Sequence, residues 1–194
     1  MNSDDHLSAR VSDLLAHLGR RAATAGETGS ELTPVQWSAL RYFSRANRFS
    51  RTPSAFASFR ATTRGTASTT ISELVQAGYL ERRRSSEDGR SVHLTQTDAG
   101  ERLLERDPLQ TMERAIAQLG EDEQRSLSTA VPAIVGRMAE ADGGPAFGTC
   151  HDCCHLSCHG ASGACPYYCT REVAELSSDE LDGLCVHFEP VASA

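Results

Sequence analysis

All seven cysteines of this 194-residue chain lie between Cys150 and Cys185, and the first 149 residues hold none. Thiolates bind soft or borderline metals, and four of them close a shell around zinc or an iron–sulfur cluster. Two sets fit such a shell. Cys150-x2-Cys153-x11-Cys165-x3-Cys169 consists of two close pairs, each gripping one edge of a tetrahedron, which is the spacing grammar of a zinc site. Cys150, Cys153, Cys165 and Cys185 offer one close pair and two singles. Cys154, Cys158 and Cys169 are then alternates, able to replace any of these ligands. His151, His155 and His159 recur every fourth residue and would share one helical face, solvated or turned to zinc. A disulfide set is the third arrangement. Against it stand the odd number of thiols and a polar, acidic start, Met1-Asn2-Ser3-Asp4-Asp5-His6, unlike an export signal.

A second chemistry lies in the charge distribution. The chain is acidic overall, at −7, but residues 41–97 hold ten Arg against four acids, net +6. Residues 1–40 carry −2 and residues 98–194 carry −11. A basic block inside an acidic chain is the electrostatic footprint of a nucleic-acid-binding module. Its arginines become useful only if local structure points them outward.

That structure is readable. Leu7, Val11, Leu14, Leu15 and Leu18 form the stripe of an amphipathic helix. Thr33-Pro34-Val35-Gln36 supplies a cap, a first-position proline and a capping box for a second helix burying Trp37, Leu40 and Phe43. Thr52-Pro53-Ser54 opens a short third helix with Phe56 and Phe59, and a fourth runs from Thr66 to Ala77, stopped by Gly78. Residues 79–84 and 91–95 read as strands around the Asp88-Gly89 turn. Helices over 97–118 and 121–141 follow, bent or broken at Pro108 and Pro132. Gly143-Gly144-Pro145 marks a linker, and a short acidic helix, Ser178 to Leu184, delivers Cys185. The expected fold class is mainly α (α+β): a winged helix-turn-helix with a helical dimerisation region at 1–142, and a small C-terminal metal-binding module at 143–194.

In this order of elements the sequence resembles the MarR family of bacterial regulators. Leu32-Thr33-Pro34, Ala77-Gly78-Tyr79-Leu80-Glu81-Arg82-Arg83 and the wing Asp88-Gly89-Arg90-Ser91-Val92-His93-Leu94-Thr95-Gln96-Thr97-Asp98-Ala99-Gly100 carry the likeness, over about residues 5–141. The resemblance implies a homodimer whose two winged domains straddle a pseudo-palindromic operator in double-stranded DNA. The fourth helix starts with small residues, so Arg64, Thr66, Ser68, Thr69 and Thr70 are candidate groove contacts. Arg90 at the wing tip would enter the minor groove, with Arg82 and Arg84 flanking it.

The set ending at Cys185 is similar to high-potential iron–sulfur proteins. It is similar also to a cysteine-rich extension of some MarR-like proteins that ends near Cys185-Val186-His187-Phe188-Glu189-Pro190. That likeness favours a [4Fe–4S] cluster on Cys150, Cys153, Cys165 and Cys185 over Zn2+. The expectation is a cytoplasmic regulator, not an enzyme, sensing redox state, oxygen or nitric oxide. The tail, following residue 141, would act through the dimer helices. Two alternatives stand beside it: a regulator responding to a small ligand, with a zinc-stapled tail, and a redox or electron-transfer protein. No phosphate loop, Rossmann glycine pattern or nucleophile elbow supports an enzyme. No apolar stretch is long enough to span a membrane.

Overall fold

A computed structural model describes residues 3–24, 31–84, 92–158 and 167–191. Capping decides where its helices begin. Helix α1 spans Ser3–Thr24 and α2 Pro34–Arg45. At α2 the Thr33 hydroxyl accepts from Gln36 N–H, the Gln36 amide oxygen accepts from Thr33 N–H, and Pro34 occupies the first turn. Thr52 caps α3, Pro53–Phe59, and Thr63 caps α4, Arg64–Gln76. Gly78, with φ of +78°, adopts the left-handed turn that releases the chain from α4 into the hairpin.

Strand β1, Leu80–Arg84, pairs antiparallel with β2, Val92–Gln96, in the register Leu80–Gln96 to Arg84–Val92. The Thr97 hydroxyl closes the hairpin's base. It donates to Gly78 O at 2.6 Å and accepts from Gly100 N–H, capping α5, Asp98–Leu104. The core beneath is assembled from Trp37, Leu40, Tyr42 and Phe43 of α2, Phe56 of α3, Ile71 and Leu74 of α4, Leu80 of β1, Leu94 of β2 and Leu103 of α5.

The helix expected over 97–118 is two. It stops at Leu104 and resumes as α6, Gln110–Ala117. Pro108 lies in the gap, beside buried Asp107, whose carboxylate accepts from Arg41 of α2 and from Leu109 N–H, each at 2.8 Å. Pro132, by contrast, sits inside α7, Glu121–Asp142. Helices α6 and α7 bury none of their side chains; with α1 they expose Leu7, Val11, Leu14, Leu18, Ile116, Leu127, Val131, Ile134, Val135 and Met138, and the link between α6 and α7 exposes Leu119. No helix among the described residues is long and apolar enough to cross a membrane.

The tail forms its own small sheet, in the order β3 (Leu156–Cys158), β4 (Tyr167–Cys169), β5 (Ala174–Leu176), all antiparallel. The acidic helix expected over Ser178 to Leu184 is a single 3-10 turn, Ser178–Glu180, although the Ser177–Glu180 capping box is present. The helical face expected for His151 and His155 does not form. Cys150–Asp152 is a 3-10 turn running into β3, and the two imidazoles face different acids, Asp182 and Glu189. His159 lies outside the described residues.

Candidate nucleic-acid interface and thiol centre

The start of α4 carries the first candidate surface. Arg64, Thr66, Ser68 and Thr69 are exposed on it, while Ala67, Ile71 and Leu74 anchor the opposite side in the core. Thr70 falls on the anchored side. It is buried, and its hydroxyl donates back to Thr66 O, so it faces the core and not a partner. On β1, Arg82 and Arg84 are exposed, and Arg82 donates to Ser72 of α4 at 3.0 Å, tying the hairpin to that helix. Arg83 instead pairs with Glu81 at 2.5 Å. Arg90 lies outside the described residues.

The second site is a tight, mostly enclosed pocket, with free room for about one water-sized group. The thiols of Cys150, Cys153, Cys169 and Cys185 line it, with Phe49, Leu156, Leu176, His155, His187 and Asn47. Cys150 and Cys153 come from the 3-10 turn, Cys169 from the end of β4 and Cys185 from the segment after the acidic turn. Cys165, expected as the fourth ligand, lies outside the described residues, and Cys169, an alternate, takes the position the cavity offers. Cys158 is disulfide-bonded. Cys154 is free and exposed and does not line the cavity.

Burial pushes the Cys150 thiol up to about 11, and the neighbouring sulfurs of Cys185, Cys153 and Cys169 push it further in the same direction. Burial likewise raises Cys185, opposed by donors from Asn47 and the His187 backbone. Four thiolates so placed repel one another, and a bound cation is what offsets that repulsion. Asn47 is itself telling. It is 4% exposed, its amide nitrogen and oxygen have no well-aligned partner, and it stands beside Cys185. An N–H directed at a metal-bound sulfur tunes such a centre. Donor set, apolar wall and orphaned amide together fit a thiolate-held metal or cluster.

Asn47 belongs to the winged helix, and the tail is bonded to the segment around it. Leu184 N–H donates to Arg45 O at 2.8 Å, Asn47 N–H to Leu184 O at 3.0 Å, and Val186 N–H to the buried Ser50 hydroxyl at 2.8 Å. Arg48 reaches both Glu180 oxygens, at 2.8 and 3.1 Å, and Glu175 O at 2.6 Å. The same segment continues to the reading elements. Tyr42 donates to Ser50 O, and Leu94 N–H of β2 donates to Arg51 O, both at 2.8 Å. Phe147, between α7 and the cavity, packs its ring on Tyr42 and Phe59, with centroids 6.1 and 5.0 Å apart. These bonds land on the end of α2 and the α2–α3 loop, while Gly136, Ala139 and Glu140 of α7 line a groove shared with Arg171 and residues 186–190 of the tail.

Residues 30–91 match a family model described as MarR family. Among similar solved structures is a MarR transcriptional regulator from Methanosarcina mazei Go1, 17% identical over 71% of this chain and 99% of that one, with a TM-score of 0.52. A MarR family protein from Bacillus stearothermophilus is 16% identical over 72% and 99%, with a TM-score of 0.54. A MarR/EmrR family regulator from Acinetobacter sp. ADP1 is 20% identical over 72% and 99%, also with a TM-score of 0.54. No curated protein matches the sequence.

Proposed function

We propose, from the premise that residues 30–91 are a MarR-family winged helix, that this chain is a homodimeric DNA-binding transcription regulator whose tail holds a sensing centre. MarR regulators bind DNA and are typically dimeric, and the apolar face left open on α1, α6 and α7 is large enough to need a partner. The operator is a pseudo-palindromic duplex site. Arg64, Thr66, Ser68 and Thr69 meet the major groove, and Arg82 and Arg84 lie along phosphates. Phosphate contacts supply affinity and orientation, and base-edge contacts supply sequence choice.

The centre is a [4Fe–4S] cluster on Cys150, Cys153, Cys169 and Cys185, which when bound supplies one-electron redox chemistry and sensitivity to oxygen or nitric oxide. The chain's own residues do the rest. Phe49, Leu156 and Leu176 limit water, and Asn47 and the His187 backbone direct donors at the Cys185 sulfur. The observation that carries the proposal is that one wall of the thiol cavity is Asn47, in the loop that also holds Ser50 and Arg51. Displacing Cys185 pulls on Leu184 and Val186, these pull on Asn47 and Ser50, and Arg51 passes the shift to β2. The hairpin and α4 then present a different spacing to two half-sites about one helical turn apart.

The test is anaerobic purification with iron, sulfide and zinc analysis, followed by binding to duplexes that the protein itself selects from a random-sequence pool. Iron and sulfide near four each per chain, with affinity that falls when the cluster is stripped, are expected. Stoichiometric zinc without sulfide would replace the cluster by a structural zinc site. Equal affinities before and after stripping would end the sensing role, and failure to select any duplex would end the DNA-reading one.

A further inference from the structure

We infer that Cys154, His155 and Glu189 form a second site, against the outer wall of the four-thiol cavity and sharing His155 with it, for a divalent transition-metal ion, with zinc the best match to its donors. One donor atom from each residue lies within 4.8 Å of the other two. The site joins two stretches of backbone that are fixed side by side. Cys154 N–H donates to Glu189 O at 2.9 Å, Val191 N–H to Asp152 O at 3.2 Å, and Cys153 bridges Pro190. Thr170 fixes the third direction, its N–H and hydroxyl both donating to His155 O, at 2.9 and 3.2 Å.

The state of the imidazole points to a ligand. His155 Nε2 is shut off from solvent and has no hydrogen-bond partner, although Glu189 Oε2 stands 3.2 Å away. A ring nitrogen so close to a carboxylate oxygen, without the alignment of a hydrogen bond, is satisfied when a cation sits between them. Arg171 Nη1 holds the other carboxylate oxygen, Oε1, at 2.5 Å, which orients Glu189 and leaves Oε2 for the site. Cys154 and Glu189 are the exposed members and His155 is half-buried, so an ion arriving from solvent meets a thiol and a carboxylate before the imidazole. One sulfur, one imidazole nitrogen and one carboxylate oxygen are borderline donors that suit Zn2+, and three protein ligands leave its fourth position open.

The site has a structural role within reach. His155 also lines the four-thiol cavity. An ion on Cys154, His155 and Glu189 would pin residues 189–191 against the cavity's outer wall, whichever metal the four thiols take.

The full chain, its four-thiol centre already filled, is titrated anaerobically with Co2+ against a competing chelator. One Co2+ per chain is expected, with thiolate-to-cobalt absorption. Losing a direct ligand should weaken binding at least as much as losing an outer-shell partner, so Cys154→Ser and Glu189→Gln should each lower affinity about 100-fold or more. Both variants should keep the absorption of the four-thiol centre. Unchanged Co2+ binding in both variants overturns the inference and leaves a His155–Glu189–Arg171 ion network. Loss of the four-thiol absorption in Cys154→Ser, with Co2+ uptake retained in Glu189→Gln, also overturns it, because Cys154 would then serve the first centre. If Cys154→Ser does not fold, Glu189→Gln alone decides, since Glu189 lies outside the cavity wall.

Discussion

Substituting Gly183 by alanine tests the tail-to-loop contact with one methyl group. A Cβ at position 183 would stand 2.9 Å from Asn47 Cβ, 3.1 Å from Asn47 Cα and 3.2 Å from Asn47 N. Two of these three atoms are backbone, so no rotamer change relieves the crowding. Gly183 has no left-handed φ, so alanine adopts its backbone without strain and the effect is steric alone. The added methyl must force apart the segments joined by Asn47 N–H to Leu184 O and Leu184 N–H to Arg45 O. Overpacking a close contact costs about 1–3 kcal/mol, which shifts the docked-to-undocked ratio by roughly 5- to 150-fold. Native-state hydrogen exchange reads this directly, because the amides of Asn47, Leu184 and Val186 are donors in the contact. Their exchange should accelerate by that factor, while amides within α2 and the β1–β2 ladder keep their rates. Unchanged exchange at all three amides would refute the reasoning that this seam holds the tail to the winged helix.

Cys169→Ser should remove most of the metal from the four-thiol centre, whereas serine at Cys154 should leave that centre's metal content unchanged, both read by metal analysis of purified chain. Aspartate at Leu14 and Met138, which are 61% and 62% exposed on the open apolar face, should shift the protein toward monomer. Each lost apolar side chain is worth about 1.5–3 kcal/mol, so the double variant should dissociate at least about 100-fold more readily in sedimentation. Alanine at Arg84 should weaken DNA binding across sequences and reduce the slope of log affinity against log salt by about 0.9. Alanine at Thr70 should leave DNA affinity nearly unchanged and lower stability by about 1 kcal/mol, measured by urea denaturation, whereas alanine at Thr69 should do the reverse.

What the sequence revealed tracks how local each cause is. The starts of α2, α3 and α4 rest on a threonine reaching three residues forward, and the strands of the hairpin on short runs that pair Leu80–Arg84 with Val92–Gln96. Those signals are complete within a few positions, and Thr33 and Thr52 act as their sequence implies, whereas α4 starts at Arg64, capped by Thr63, two residues before the Thr66 expected. The break before α6 is different. Pro108 announces it, but its place follows from Asp107, which is held by Arg41 from 66 residues away. Thr70 was legible as polar yet not as inward-facing, because small hydroxyl residues run around the whole start of α4. The fourth-residue spacing of the histidines suggested a helix where no apolar stripe accompanied it, and the backbone there follows the turn that gathers Cys150 and Cys153. Docking of the tail lay furthest from view: Ser50 and Val186 meet across 136 positions, with no periodicity to join them.

The ring of Phe147 gives the molecule a latch. It lies four residues beyond Gly143, which caps α7 in the left-handed conformation, and it is wedged on Tyr42 and Phe59. The tail therefore cannot swing out as a free pendant from the end of α7. Release requires a phenyl group to leave its aromatic seat, at a cost on the order of 1.5–3 kcal/mol if it becomes fully wetted. Detachment should accordingly be all-or-none, with a threshold, rather than a graded loosening of the last fifty residues.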